Sequence, residues 1–552
     1  MVRFEGYKGR LYPGFYTDYL YRFQEVSKFF EYPPGSPAAW RKRYQHLLEN
    51  WHGDREKISG QLVEYNGALG AAGTALSRAR SLADPKSVVV LTGQQTGVAT
   101  GPLSTLYKAV AVVSLAKKAE KELGVPVVPV FWLCSDDHDF REIEAIGLVD
   151  KKGRVRRVSL KFRPPAPRPV GEIPLPRQAV LGLIGDLEEN HPGGPFAQEM
   201  LSLLRATAWE ATSFPHWFAL VLSRLLSPFG LVFLDPLKGH WVEAQVPVLQ
   251  KALELGERIN REIEATGWNL ADLGYEPSLK LEPEHSHVFC HLSAGRAALF
   301  RRGGFLQTRY GNVQYTTGDL VQAVAAEPDR FSPNVVVRQM VQNHVLPVLV
   351  TVAGAGQVSY MAQLRSVYSL FGQQMPVVSP RLSLTLVEPW QEEMARRFGF
   401  ELAEVLSSNW EEIVKNALDK VDKTGIDKAF GRARQAVMDL YRELMRELEK
   451  VSGDLGGLGA ENRERVLAQL AYLEKKAHQH RRRQNRWLVE RFWSLKNHLL
   501  PDGYPQERLL NIFPYLFRYG PGVIRDLVAG AVVEGVDGRH QLAYLDPDNG
   551  GE

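Results

Sequence analysis

Residues 87–97 read SVVVLTGQQTG, and residues 125–139 read VPVVPVFWLCSDDHD. Each begins as a β-branched, apolar run too short for a helix and ends in a polar, glycine-rich or acidic loop. Between them, Leu103 to about Lys118 repeats apolar residues at helical spacing. A nearly continuous apolar strand is what a parallel sheet buried on both faces requires. Strand, loop, helix, strand, loop is the opening of an α/β, doubly wound parallel-sheet core. Acidic residues 136, 137 and 139 predict a loop closed by a capping box, Asp139 with Glu142, before another helix.

Working outward, residues 1–85 read as helical and irregular, with aromatic anchors at Phe15, Tyr16, Tyr19, Phe29 and Phe30. Residues 151–196 turn basic and then proline-rich and look inserted. Strand and helix signals return with a helix near 198–227 and a strand at Leu231–Asp235. A second inserted stretch, 251–329, mixes helix with short strands such as Ser286–Leu292 and Phe305–Tyr310. The sheet pattern resumes at Val345–Ala353, then a glycine-rich loop, a helix to about Phe371 and the strand Val377–Ser379. From Phe430 to Val451, and again from Val466 to Ala477, apolar residues recur every three or four positions. Two such helices around a glycine-rich hinge at 453–459 predict an antiparallel coiled-coil hairpin, with His480 and Gln484 as a polar layer in its seam.

Bulk composition removes several classes of function. The chain has 552 residues, 44% hydrophobic and 24% charged, with 67 basic and 63 acidic residues and a net charge of +4. That balance gives no general case for nucleic acid. Two cysteines, Cys134 and Cys290, build no disulfide framework and point to a reducing, cytoplasmic compartment. No stretch is long and apolar enough to predict a membrane span.

In an open α/β sheet, ligands gather where the strands end. The loop Gly93, Gln94, Gln95, Thr96, Gly97, continuing to Gly101, offers backbone and amide donors to an anion, with Lys108 one helix face away. It lacks the Gly-Lys-Ser/Thr of a Walker loop; the alternative is a tight turn whose glycines serve packing. Asp136, Asp137, His138 and Asp139 could hold an ammonium group or Mg²⁺, with His138 as a general base. Asn334 to Arg338, the Gly354–Gly356 loop and Arg381 to Ser383 form a third set, in which Arg338 and Arg381 suit carboxylates or phosphates. Gly354–Gly356 lacks the third glycine of a dinucleotide fingerprint, which argues against a nicotinamide oxidoreductase. His285, His287 and His291 share one strand face, a weak zinc pattern, and no metal site is assigned. The run from His480 to Arg486 reads more simply as a solvated helix face than as an RNA contact.

These blocks resemble a known family, the cysteine-adding enzymes of bacillithiol biosynthesis (BshC). The likeness is carried by LTGQQTG at 91–97, Thr100 to Leu103, Lys108, GVPVVPVFW at 124–132 and DHDF at 137–140. It continues through FSPNVVVR at 331–338, Val352 to Gly354, Pro380 to Ser383, PDGYPQER at 501–508 and Leu510 to Phe513. The resemblance implies a Rossmann-like core related to nucleotidylyl transferases and class I synthetases, interrupted by two connecting peptides, with a coiled coil that forms a homodimer. The implied division is core at 1–150, insertion at 151–196, core at 197–250, insertion at 251–329, core at 330–388, coiled-coil domain at 389–500 and a returning segment at 501–552. The implied reaction joins the carboxyl of cysteine to the amine of glucosaminyl malate, with ATP and Mg²⁺ expected for activation. Two departures stand out: Gln357 where relatives often carry glutamate, and Cys134-Ser135-Asp136 where a small residue, Gly and Glu are expected. The other reading from the sequence is a synthetase-derived nucleotide- or RNA-binding module without ligase activity.

Overall fold

The computed structural model describes residues 2–191, 193–280, 282, 284–309, 313–407, 409–421 and 425–546. It divides into two compact units. One comprises residues 1–151, 155–389 and 501–552; the other comprises 152–154 and 390–500.

The first unit is built on five parallel strands: β1 (Val88–Gln94), β2 (Val127–Leu133), β3 (Val232–Leu234), β4 (Val348–Ala353) and β5 (Val377–Pro380). Their order across the sheet is β5-β4-β1-β2-β3, so the chain reverses direction of travel between β1 and β4. Helices cover both faces. Val88 and Val90 belong to the same core cluster as Leu106, Val110 and Val113 of α1 (Leu103–Leu123). Val89 and Leu91 pack in the opposite cluster with Val337, Met340 and Val341 of α2 (Val335–Val345). This two-sided burial is the reason β1 and β2 read as unbroken apolar runs. α1 ends at Gly124 with φ 67°, a left-handed cap that glycine adopts without strain.

Two further groups of strands lie outside the parallel sheet. Strands Ala145–Val149 and Val155–Ser159 pair antiparallel. A five-stranded antiparallel sheet gathers His285–Leu292, Gly295–Arg302, Phe305–Thr308, Gln314–Tyr315 and Phe331–Pro333. Tyr310, the expected end of one of these strands, lies outside the described residues. The helix expected after Asp139 is absent: a 3-10 turn, Phe140–Glu142, leads directly into Ala145–Val149. Asp139 still accepts from the Arg141 N–H, at 3.1 Å, so it caps this turn alone, and neither the box with Glu142 nor the helix forms among the described residues.

In the second unit, α4 (Ile426–Val451) and α5 (Gly453–Gln484) form the expected hairpin, but its turn is not where the glycines are. The break is Ser452 alone, with φ −162°, and residues 453–459 are helical. A Cβ on Gly459 would lie 3.2 Å from Met445 Cγ, so this glycine serves close approach of the two helices. The polar layer also differs by a fraction of a turn. His480 and Gln484 face solvent, whereas His478 and Arg481 face α4, where both meet Asp427.

Candidate active site

A cavity of about 550 Å³ opens at the carboxyl ends of β1 and β4, the point where the strand order reverses. Neighbouring strands there lead away on opposite faces, leaving a crevice that doubly wound proteins use for ligands. Its volume lies within the small-molecule range of roughly 300–1,000 Å³.

β1 delivers Gly93, Gln94 and Gln95 to this crevice, and α1 delivers Lys108. Lys108 Nζ donates to Gly93 O at 3.1 Å and to Gln94 Oε1 at 2.6 Å. The Gln94 amide donates to Gln95 Oε1 at 3.1 Å, and Gln95 donates to Asp137 Oδ2 at 3.4 Å. The paired glutamines therefore link the lysine to the acidic loop through amides that each accept on one side and donate on the other. Burial, with Arg381 adding to it, lowers the Lys108 ammonium to about 7.

Arg338 enters from α2. Its Nη2 meets Asp136 Oδ2 at 3.1 Å and Asp137 Oδ2 at 3.9 Å. Burial opposes its charge, but Asp136, Cys134 and Asp137 outweigh burial and hold it firmly protonated. Arg338 Nε and Asp136 Oδ1 are buried without a hydrogen-bond partner. Burial opposes ionisation of Asp137, yet Arg338, Arg296 and the N–H groups of Asp139 and His138 bring it below the usual carboxylate range. Cys134, at the end of β2, lines the cavity as a thiol pushed up to about 11 by burial.

Gly354 precedes α3 (Ala355–Met361), and its N–H donates to Gln357 Oε1 at 3.1 Å. Gln357 thus accepts from the N-cap N–H as a glutamate would, without the charge, while glycine has no side chain to return the bond.

Several expected binding residues have other roles. Arg381 lines the cavity, but its fork is held by Glu507, with Nη1 2.9 Å from Oε2 and Nη2 2.6 Å from Oε1. Ser383 donates to the same carboxylate at 3.0 Å, so it belongs to that buried cluster and not to the cavity lining. Asn334 caps α2 by accepting from Val336 and Val337 N–H groups at 3.1 and 3.0 Å. Thr96, Gly97 and Gly101 lie behind the loop; a Cβ on Gly97 would sit 2.9 Å from Gly101 Cα. The first N–H of α1, at Leu103, already donates to Leu510 O at 2.8 Å, which occupies the donor expected to face an anion. Asp136 stands behind Arg338, and Asp139 caps its turn. His138 lies outside the lining, with Nδ1 3.0 Å from Arg296 Nη1. The zinc pattern does not assemble: His287 Nδ1 meets Asn334, and His291 meets Ser332 and Glu172.

Tyr12, Gln339, Gln342 and Tyr360 also line the cavity and were missed from sequence, while Glu142 was read there only as part of a cap and Gln506–Arg508 only as an alternative place for a nucleotide. Gln342 stands one turn after Arg338 on α2, a spacing that could have marked it. Glu142 is raised above the usual carboxylate range by burial first and then by Asp139 and Asp137.

A parallel doubly wound sheet with a crevice at its switch point, lined by Lys108, Arg338, Arg381 and Arg508, is an arrangement suited to small anionic ligands. The chain belongs to the BshC family. Residues 5–382 match the family described as "Bacillithiol biosynthesis BshC, N-terminal Rossmann-like domain", and residues 384–545 match its "C-terminal coiled-coil domain". Relatives named "Putative cysteine ligase BshC" include those of Desulforamulus reducens, 32% identical over 96% of this chain and 97% of that one, and Heliobacterium modesticaldum, 33% identical over 95% and 97%. That of Geobacillus thermodenitrificans is 30% identical over 96% of this chain and 97% of its own. Among the described residues no helix is long and apolar enough to cross a membrane.

Proposed function

We propose that this chain is a ligase that joins the carboxyl group of cysteine to the amine of glucosaminyl malate, the last step of bacillithiol formation. Beside the names of its relatives, the observation that carries this reading is the polarity of the cavity. Basic Lys108, Arg338 and Arg508 line it together with the carboxyl group of Glu142. A substrate with an amine at one end and carboxylates at the other finds complementary charge in such a space.

The chemistry assigned to the chain's own residues is binding and proton transfer. Lys108 is the residue to take the proton from the substrate ammonium. With a pKa of about 7 it is substantially neutral at physiological pH, and two N–H bonds to Gly93 and Gln94 leave its lone pair available. His138 is less suited, because its Nδ1 lone pair accepts from Arg296 and leaves Nε2 as the protonated nitrogen of a neutral ring. Arg338 is the anchor for substrate carboxylate oxygens. A free carboxylate is a poor acylating group, and ATP with Mg²⁺ would supply the leaving group it lacks. Arg338 and Arg508 suit phosphate oxygens, and Glu142, which lines the cavity, is an oxygen donor of the kind Mg²⁺ takes. A cytoplasmic setting and a homodimer complete the reading. On α4, Leu440 and Val451 are 61% and 77% exposed, an apolar surface suited to a second copy of the hairpin.

The test is mass-spectrometric detection of the cysteinyl product after mixing protein, cysteine, glucosaminyl malate, ATP and Mg²⁺, with ATP omitted in a control. ATP-dependent product supports the ligase. Nucleotide or RNA binding without product supports the non-catalytic alternative.

A further inference from the structure

Arg296 belongs to the inserted antiparallel sheet, in strand Gly295–Arg302, and no role in ligand binding falls to it. Its side chain is almost fully buried and its donors are spread over two segments that carry site residues. Nε donates to Ser332 Oγ at 2.9 Å and Nη2 to Pro333 O at 2.8 Å. These two residues immediately precede Asn334, the cap of α2, the helix that bears Arg338. Nη1 reaches the acidic loop instead, at His138 Nδ1, 3.0 Å away. The guanidinium carbon lies 3.8 Å from the centre of the Phe289 ring, so the planar group is clamped between an aromatic face and three acceptors.

We propose that Arg296 is a positioning residue for the ligation site: it fixes the acidic loop 135–139 against the start of α2 and so sets the meeting of Asp136 with Arg338. The inserted sheet is then part of the site's framework. Its edge strand Phe331–Pro333 runs straight into α2, and its strand Gly295–Arg302 supplies the guanidinium that ties this junction to the loop after β2. One group with three directed donors can set the relative position of two backbone segments, which a lysine with its single nitrogen cannot. His138 is the acceptor in this arrangement. The groups facing its ring are Arg296, Asp137, Asp139 and Asp136; burial first and then the guanidinium favour the neutral imidazole, while the carboxylates oppose it.

The inference rests on the ligase reading for its kinetic consequence, but its first readout needs no activity. The full-length protein with isotopically labelled histidine is titrated by NMR, with His138→Gln used to assign the resonance. In Arg296→Met the His138 ring loses the opposing cation and keeps three carboxylates, so its midpoint moves up by at least half a pH unit. Arg296→Lys restores the charge without the three directed bonds and returns the midpoint towards the native value. In the ligation assay, Arg296→Met raises KM for the malate-bearing substrate at least tenfold, and Arg296→Lys does not recover it. A thermal midpoint within a few degrees of wild type in Arg296→Lys shows that the KM change is not loss of fold. An unmoved His138 midpoint in Arg296→Met overturns the contact itself. A moved midpoint with KM within twofold of wild type in both variants overturns the positioning role. Absence of product from the wild-type protein would count against the ligase reading and leave the titration result standing.

Discussion

Arg338 and Arg381 line the same cavity and are both buried against carboxylates, yet they are held differently. Arg381 gives Nη1 and Nη2 to the two oxygens of Glu507, and Nη1 also donates to Leu382 O at 2.7 Å. Around them Tyr12, Ser383 and the Leu384 N–H converge on the same carboxylate. Arg338 has one bond of 3.1 Å to Asp136, and both partners keep a buried atom without a hydrogen bond. A saturated fork is a structural tie; a fork with spare donors beside a cavity can still bind. Burial and charge alone would rank the two equally, and only the count of satisfied donors separates them.

Glu507→Ala leaves Arg381 buried and unpaired, at a cost of about 3–5 kcal/mol, read as a lowered midpoint in denaturant. A loss under about 1 kcal/mol would mean that Arg381 is as available to ligands as Arg338 is. Next comes Lys108→Met, which removes the proposed base and lowers kcat by about 10²–10⁴-fold in single-turnover ligation. In the wild type, kcat/KM rises as pH climbs through about 7, because the working form is the neutral amine. The same substitution should increase stability. The folded pKa lies below that of the unfolded chain, so the cost of burying the charge is fully present below pH 7 and fades as pH rises towards the unfolded value. A pH–rate profile unchanged in shape would remove Lys108 from the role.

Arg338→Lys sharpens the contrast from the other side. Charge is kept and the fork is lost, so KM for the malate-bearing substrate rises by about ten- to a hundredfold while the thermal midpoint moves little. The corresponding change at Arg381 should do the reverse, lowering the midpoint with less effect on KM. Smallest is Leu444→Glu on the exposed stripe of α4, which leaves ligation intact and shifts the protein from dimer to monomer in sedimentation. A dimer that persists would direct the search for the interface to another surface.

The parallel core was legible because it is dictated locally. Strands buried on two faces must be largely apolar, and Val88–Leu91 of β1, all of β2 and all of β4 but Thr351 are. The loop Gly93–Gln95 and Lys108 were legible for a related reason, since strand ends in such sheets collect ligands. The clusters at Ser383 and Asn334 were not. Their side chains carry the chemistry of binding residues, and what removes them from the cavity is a partner far along the chain, Glu507, or a cap on their own helix. Arg296 was hidden by the same distance, because nothing in a β-hairpin sequence says that one guanidinium reaches two other segments. The glycines at 453–459 misled in the opposite sense: a hinge and a close helix crossing ask for the same residue.

The strand Arg3–Gly6 pairs antiparallel with His540–Tyr544, which itself runs parallel to Ser383–Val387. Synthesis proceeds from the amino end, so residues 3–6 leave the ribosome long before the strand they pair with in that sheet exists. The central strand is also the last of the three to be made, and the edge strands cannot pair with each other across its place. During translation the sheet is therefore two separate, unpaired edges, the kind of exposed backbone that invites misassociation. His540 closes that sheet and also packs against Ser383 of the Arg381–Glu507 cluster, at 2.9 Å. The wall of the cavity beside Arg381 is thus finished only when residue 540 arrives, and a ribosome-stalled chain lacking it should show a sheet core without a completed site.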